Sequence, residues 1–150
     1  IAALLVLGLL SFAQIAYTTP GDLPLPPLMR TQYITEHSAG FGLREAVQAF
    51  PVTLTDDLPI IASMFPDSCR RANFYAHASR LMECTDAPGI DRIQAALAER
   101  GAVYVLTETS PLIGVDVTTL DADATRIAGY PRPGETEANA AVVLWRLDAR

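Results

Sequence analysis

The sequence predicts an α/β fold: a small Rossmann-like sheet, partly parallel, with a C-terminal antiparallel hairpin and an apolar N-terminal helix. Three observations predict it. A helix-spaced stretch followed by a short apolar run occurs twice, at residues 43–55 and 90–107, as when parallel strands are joined by crossover helices. Two strand-like segments, residues 125–130 and 140–147, flank the turn-rich connection PRPGETEAN, which reads as a hairpin with a long loop. Residues 1–17 are uncharged and apolar nearly all round. One domain is the natural count for 150 residues, enough to bury about two thirds of the unfolded chain's surface. The expected divisions are an apolar helix at 1–17, an extended linker at 18–37 and the α/β domain at 38–150.

The N-terminal run has three readings: the end of a transmembrane helix, a signal-peptide core, or a buried helix of a soluble domain. It falls just short of the roughly 20 apolar residues of a full span. No basic region precedes it and no clear cleavage site follows, which weakens the signal-peptide reading. A buried helix is usually less uniformly apolar. The end of a span is therefore the expectation, with Tyr17 at the interface, and Ile1 in place of Met reads as a chain cut from a longer protein. Residues 18–28 hold four prolines and one glycine and read as a linker leaving the membrane surface. Pro24 and Pro27 also spell PxxP, but nothing points to a proline-reading partner. Residues 29–37 carry too few apolar repeats to assign.

Gly40-Phe41-Gly42 gives the freedom for a sharp entry into a helix. Leu43, Val47 and Phe50 then form an apolar face with Ala46 beside them, opposite Arg44, Glu45 and Gln48. Pro51 is expected to stop this helix, and residues 52–55 to form a buried strand. Asp56 and Asp57 would lie just past its carboxyl end. Residues 58–65 read as a helix with Pro59 in its first turn and Asp56 or Asp57 as its cap, ended by Pro66-Asp67-Ser68. Two aromatics favour a strand over residues 71–77, although Ala72, Ala76 and Ala78 also permit helix. Residues 86–89 are a turn. Residues 90–100 are the clearest helix, with the stripe Ile90, Ile93 and Leu97 and a stop at Gly101. Residues 102–107 are apolar almost without interruption, the mark of a strand covered on both faces.

Two buried parallel strands at 52–55 and 103–107 would bring their carboxyl ends to one sheet edge, where open α/β sheets bind ligands. Asp56, Asp57, Glu108, Thr109 and Ser110 would then line a negatively charged crevice suited to hydroxyl-rich sugar groups and repelling phosphate. The plainer alternative is that these residues cap the following helix and turn. A net charge of −6 and a pI near 4.7 argue against nucleic acid as a partner. All eleven cationic residues are arginine, which reads as compositional bias.

The remaining chemistry is sparse. Cys69 and Cys84 are either a disulfide or two free buried thiols. With only the distant His37 and His77 besides, their spacing matches no metal site. Neither histidine has the context of a catalytic base, and no nucleophile elbow, GxGxxG loop or P-loop occurs. Asp121-Ala122-Asp123 has the form of the DxD of nucleotide-sugar transferases, but it flanks a predicted strand and such triplets arise by chance. No catalytic residue, metal or cofactor is expected.

Tyr33, the run SAGFGLREA (residues 38–46) and a following strand expected to end in Asp56-Asp57 resemble part of certain large bacterial membrane glycosyltransferases. These are of the dolichyl-phosphate-mannose–protein mannosyltransferase type, with a multi-helix GT-C architecture. The resemblance covers most of the chain in layout but only residues 33–57 in residue identity. It implies that the segment lies just after the last transmembrane helix and opens a C-terminal extracytoplasmic domain. It implies as partners the rest of the parent membrane protein and a polyprenyl-phosphate sugar donor or glycan acceptor. The family's essential acidic residue lies in a loop near the N-terminal end, outside this sequence, so no catalytic role carries over. A stand-alone membrane-anchored binding module and a small enzyme using Asp56, Asp57 and Glu108 are the competing readings.

Overall fold

In the computed structural model, which describes residues 2–30, 40, 42–76, 80–85, 88–109, 115–132 and 135–150, five strands make one sheet. They are β1 (Ile60–Ser63), β2 (Glu83–Cys84), β3 (Ala102–Glu108), β4 (Ala122–Tyr130) and β5 (Val142–Ala149). Their order is β2-β1-β3-β5-β4. β1 runs parallel to both β2 and β3, while β5 is antiparallel to β3 and to β4. The expected partly parallel sheet and C-terminal hairpin are both present.

Side chains alternate between two cores. Ile60, Ala62, Tyr104, Leu106, Val142 and Leu144 face α3 (Leu43–Thr53) and α4 (Pro66–Tyr75). Ile61, Val103, Val105 and Leu147 face α5 (Ile90–Arg100). Every residue of β1 and β3 is buried, as strands covered on both faces must be. The crossover from β1 through α4 moves outward to β2. The next, through α5, returns past β1 to β3. Reversing direction while keeping one crossover hand puts the two helices on opposite faces.

The first helix differs from expectation at its end. α3 runs through Pro51 to Thr53, and the predicted strand at 52–55 does not form. The apolar spacing continues past the proline: Phe50 and Leu54 are both buried four residues apart, and the Leu54 amide donates to the Phe50 carbonyl at 2.8 Å. Val52 turns outward, 86% exposed. At the other end, Gly42 sits at φ 84° and its N–H donates to the Glu45 carboxylate at 3.1 Å. A Cβ at Gly42 would come within 2.6 Å of the Tyr130 carbonyl oxygen, so this turn needs glycine both for its backbone and for its packing against β4.

The next two elements exchange roles. The helix expected over 58–65 is β1, preceded by Pro59, whose carbonyl accepts from the Tyr104 amide at 3.0 Å. A proline just before a strand removes no ladder donor, and Ile60-Ile61 suits a doubly covered strand better than a surface helix. Pro66-Asp67-Ser68 opens α4 instead of closing a helix. Of the strand expected over 71–77, residues 71–75 lie in α4 and His77 falls outside the described residues. Cys69 and Ala72, three apart, bury that helix, while Phe74 and Tyr75 stay exposed. α5 and its stop at Gly101 (φ 73°) match expectation.

Residues 2–18 form α1 (Ala2–Thr18), with Leu5, Leu7, Leu9 and Leu10 exposed. Among the described residues, no helix is long and apolar enough to cross a membrane. The linker is not extended throughout. It contains a 3-10 turn at Pro20–Asp22 and one helical turn, α2 (Pro27–Arg30).

Candidate functional site

Because β1 and β3 are neighbours whose chains leave toward opposite faces, their carboxyl ends form a topological switch point, the usual ligand position in such sheets. Ser63, fully buried, donates from Oγ to the Pro88 carbonyl at 2.8 Å and accepts from the Val115 amide at 3.3 Å. Glu108, 5% exposed, ends β3. Thr109 is bonded to the β5 side, its hydroxyl donating to the Ala140 carbonyl and its amide to the Ala141 carbonyl, both at 2.8 Å. Ser110 lies outside the described residues.

Asp56 and Asp57 are not part of this edge, so the five predicted residues do not share a crevice. The cause is the strand exchange described above: both precede β1 and do not follow a strand. Asp56 reaches the hydroxyl of Tyr104, which is paired with Ile60 at the amino end of β1. That is four residues before Glu108, or about 13 Å along the strand. Asp56 Oδ2 accepts from Tyr104 Oη at 3.3 Å and from Arg146 Nη1 at 2.9 Å. Arg146 is also held by Asp148, with Nε 3.1 Å from each carboxylate oxygen and Nη2 at 3.0 Å. Arg80 donates to the carbonyls of Leu54 and Asp56 and lies 3.9 Å from the Asp57 carboxylate. Burial, and next the Asp56 charge, push the Tyr104 hydroxyl above its ordinary pKa. The Asp148 hydrogen bond does the same for the Arg146 guanidinium.

This cluster ties the loop after α3 to β3 and β5. Asp56→Asn is expected to lower stability by about 1 kcal/mol, as befits a pair one-third exposed. It should leave any binding at the opposite sheet edge unchanged. Thermal melts of the variant check the first expectation.

The structure joins Cys69 to Cys84 in a disulfide, with a Cα–Cα distance of 5.7 Å. The bridge fastens α4 to the two-residue edge strand β2. Asn73 reinforces it, donating from Nδ2 to the Met82 carbonyl at 2.9 Å and accepting from the Met82 amide at 2.8 Å. Asp121 and Asp123, the DxD pair, are engaged by Arg150 at 3.4 and 3.0 Å. Among the described residues no group of three His, Cys, Asp or Glu side chains is placed to hold a metal.

The described residues also form hollows that the sequence did not announce. A groove of about 530 Å³ opens at the end of the β4–β5 hairpin, on the α5 face of the sheet, lined by Thr109, Arg126, Arg132, Asn139, Val143 and Trp145 among others. Trp145, the chain's only tryptophan, is partly buried against the α5-side core, and its Nε1 donates to Thr107 Oγ1 at 3.2 Å. Arg126 stands opposite Trp145 in the ladder, immediately before a register shift. Its guanidinium folds back across Gly129, where a Cβ would lie 2.2 Å from Nη2, and donates to the Glu137 carbonyl at 2.6 Å.

Protein-family models, curated proteins and solved structures offer no match to this chain. What the groove can do follows from its own side chains. It brings together a fixed indole, two guanidinium groups, an amide and a threonine, a set suited to holding a polar ligand. A second hollow of about 490 Å³, at the start of α5, is lined by Thr85, Pro88, Gly89, Ile90, Asp91 and Arg92. Two of its polar side chains are engaged by the fold: Thr85 donates to the Ala62 carbonyl at 3.2 Å, and Arg92 Nη2 to Glu83 at 2.8 Å.

Proposed function

We propose that this chain is a membrane-attached accessory domain of a glycosyltransferase that takes sugar from a lipid-phosphate donor. Its α/β part lies outside the cytoplasm and contributes binding in place of bond chemistry. The observation that carries the membrane attachment is α1. It presents leucines 60–69% exposed around its surface, with no charged residue along its length. Each such side chain gains about 1.5–3 kcal/mol on leaving water, so the helix favours an apolar environment over solvent. Its 17 residues measure about 25 Å, against about 30 Å for the hydrocarbon core. In this reading the helix is seated within the bilayer beside the parent protein's own helices. The Cys69–Cys84 bridge supports an oxidising compartment. The likeness of residues 33–57 to the mannosyltransferase-type enzymes supplies the transferase.

The experiment is flotation with phosphatidylcholine vesicles. The full chain is expected to rise with the lipid. A version lacking residues 1–28 is expected to remain below while keeping the circular dichroism of the α/β domain. A full chain that stays below as a monodisperse monomer would overturn the membrane attachment. A stand-alone membrane-anchored binding module has the same helix and groove, and the reading frame separates the two. Many apolar spans encoded upstream of Ile1 support the transferase, and their absence supports the module.

A further inference from the structure

We propose that the groove at the end of the β4–β5 hairpin binds an anionic saccharide, a sugar ring carrying a carboxylate or a phosphate. The inference needs only the α/β domain and stands independently of α1 and of any parent enzyme.

The charge argument comes first. The chain as a whole carries −6, yet the groove is lined by two arginines and one carboxylate, Glu135. Arg132, whose side chain is only 18% exposed, meets Glu135 at a loose 3.7 Å. Arg126 gives a hydrogen bond to the Glu137 carbonyl, one of the five N–H donors that a guanidinium carries. The local sign is therefore opposite to that of the molecule, and the surplus cation sits where a single negative group would be drawn in. Guanidinium groups also offer paired donors that fit a carboxylate or phosphate.

The placement of Arg126 is built into the strand. Arg126 stands immediately before the register shift between Arg126 and Ala128, the kind of bulge that re-aims side chains beside binding sites. Gly129 then leaves the room that the guanidinium occupies, since any Cβ there would meet both Arg126 and Ala140.

The ring argument rests on Trp145. One side of the residue packs on the α5-side core, while the residue also lines the groove. The bond from Nε1 to Thr107 fixes the plane of the indole. A fixed aromatic plate flanked by hydrogen-bonding groups suits a ligand with one apolar C–H face and a hydroxyl rim. Asn139 supplies both donors and an acceptor for such a rim. Thr109 Oγ1 gives its proton to Ala140 and so meets the ligand as an acceptor. A hollow of about 530 Å³ is in the range of small-molecule sites.

The test uses the full chain in a detergent without a sugar headgroup and reads the emission of Trp145, the sole tryptophan. The titrants are a hexuronate disaccharide, a hexose 6-phosphate, an uncharged disaccharide and inorganic phosphate. A saturable shift is expected with at least one anionic sugar, about tenfold tighter than with the uncharged sugar or with phosphate alone. Which of the first two binds tells carboxylate from phosphate. Arg126→Gln and Arg132→Gln should each weaken that binding about tenfold or more while leaving circular dichroism unchanged. The proposal is overturned if neither anionic sugar gives a saturable shift. It is equally overturned if phosphate alone binds as tightly as the hexose phosphate, or if both arginine variants bind like the parent chain.

Discussion

Phe50→Ala is expected to destabilise the domain by about 3–5 kcal/mol, while Val52→Thr, two residues on, changes stability by less than about 0.5 kcal/mol. Phe50 is fully buried among Val47, Leu54 and Leu144 on the α3 side of the sheet. Removing its ring leaves a cavity that the flanking strands cannot fill. Val52 stands in water on the outer side of the last turn of α3. Had residues 52–55 formed a central strand, Val52 would be buried and Val52→Thr would cost about 1–3 kcal/mol for the buried hydroxyl. Chemical denaturation of the two variants measures the contrast. A loss of about 1 kcal/mol or more on Val52→Thr would return Val52 to the core.

The same contrast explains what could be read in advance. α5 was legible because Ile93 and Leu97 keep a clean stripe and Gly101 ends it at positive φ. β3 was legible because all seven of its residues are buried. The hairpin was legible from its turn-rich connection. Between Pro51 and Tyr75 local signals conflict. Pro51 reads as a stop, but the helix continues two residues beyond it and Leu54 continues the buried face. The run around Ile60-Ile61 is too short to show a period of its own, so periodicity alone does not separate helix from strand there. Phe74 and Tyr75 suggest a strand, yet Phe74 is 86% exposed. The core contact of α4 is made by Cys69 and Ala72, which are too small to stand out.

That local ambiguity displaced the predicted site. With 52–55 taken as the strand, Asp56 and Asp57 appeared at its carboxyl end. With 60–63 as the strand, they belong to its amino end, and Glu108 remains at the carboxyl end of β3. The groove escaped notice for a different reason. Arg126 and Trp145 are 19 positions apart, and they become neighbours only through the β4–β5 register. The bulge and Gly129 then settle where the guanidinium lies. No spacing along the chain encodes that meeting.

Replacing both Cys69 and Cys84 with alanine is expected to cost about 2–5 kcal/mol, the range for a native bridge in a small domain. The chain-entropy model gives about 3 kcal/mol for a loop near 15 residues, which is the separation here. The effect should also be local. β2 has only two residues, paired with Ile61 and Ala62, and it forms the edge of the sheet. Apart from the bridge it is held by the Asn73 amide, the Thr85 hydroxyl and the Glu83–Arg92 pair. Hydrogen exchange at the Met82 amide, which donates to Asn73, should therefore accelerate more than exchange in the interior of β3. The single variants should differ as well. Cys69 is fully buried and Cys84 exposed. Cys69→Ser would place a hydroxyl in an apolar layer, adding a desolvation cost of about 1–3 kcal/mol, whereas Cys84→Ser would lose little beyond the bridge. Urea unfolding with and without reductant decides the matter. A midpoint indifferent to reductant would show that Asn73 and the β1 pairing are sufficient to hold β2, and that the bridge adds nothing to the fold.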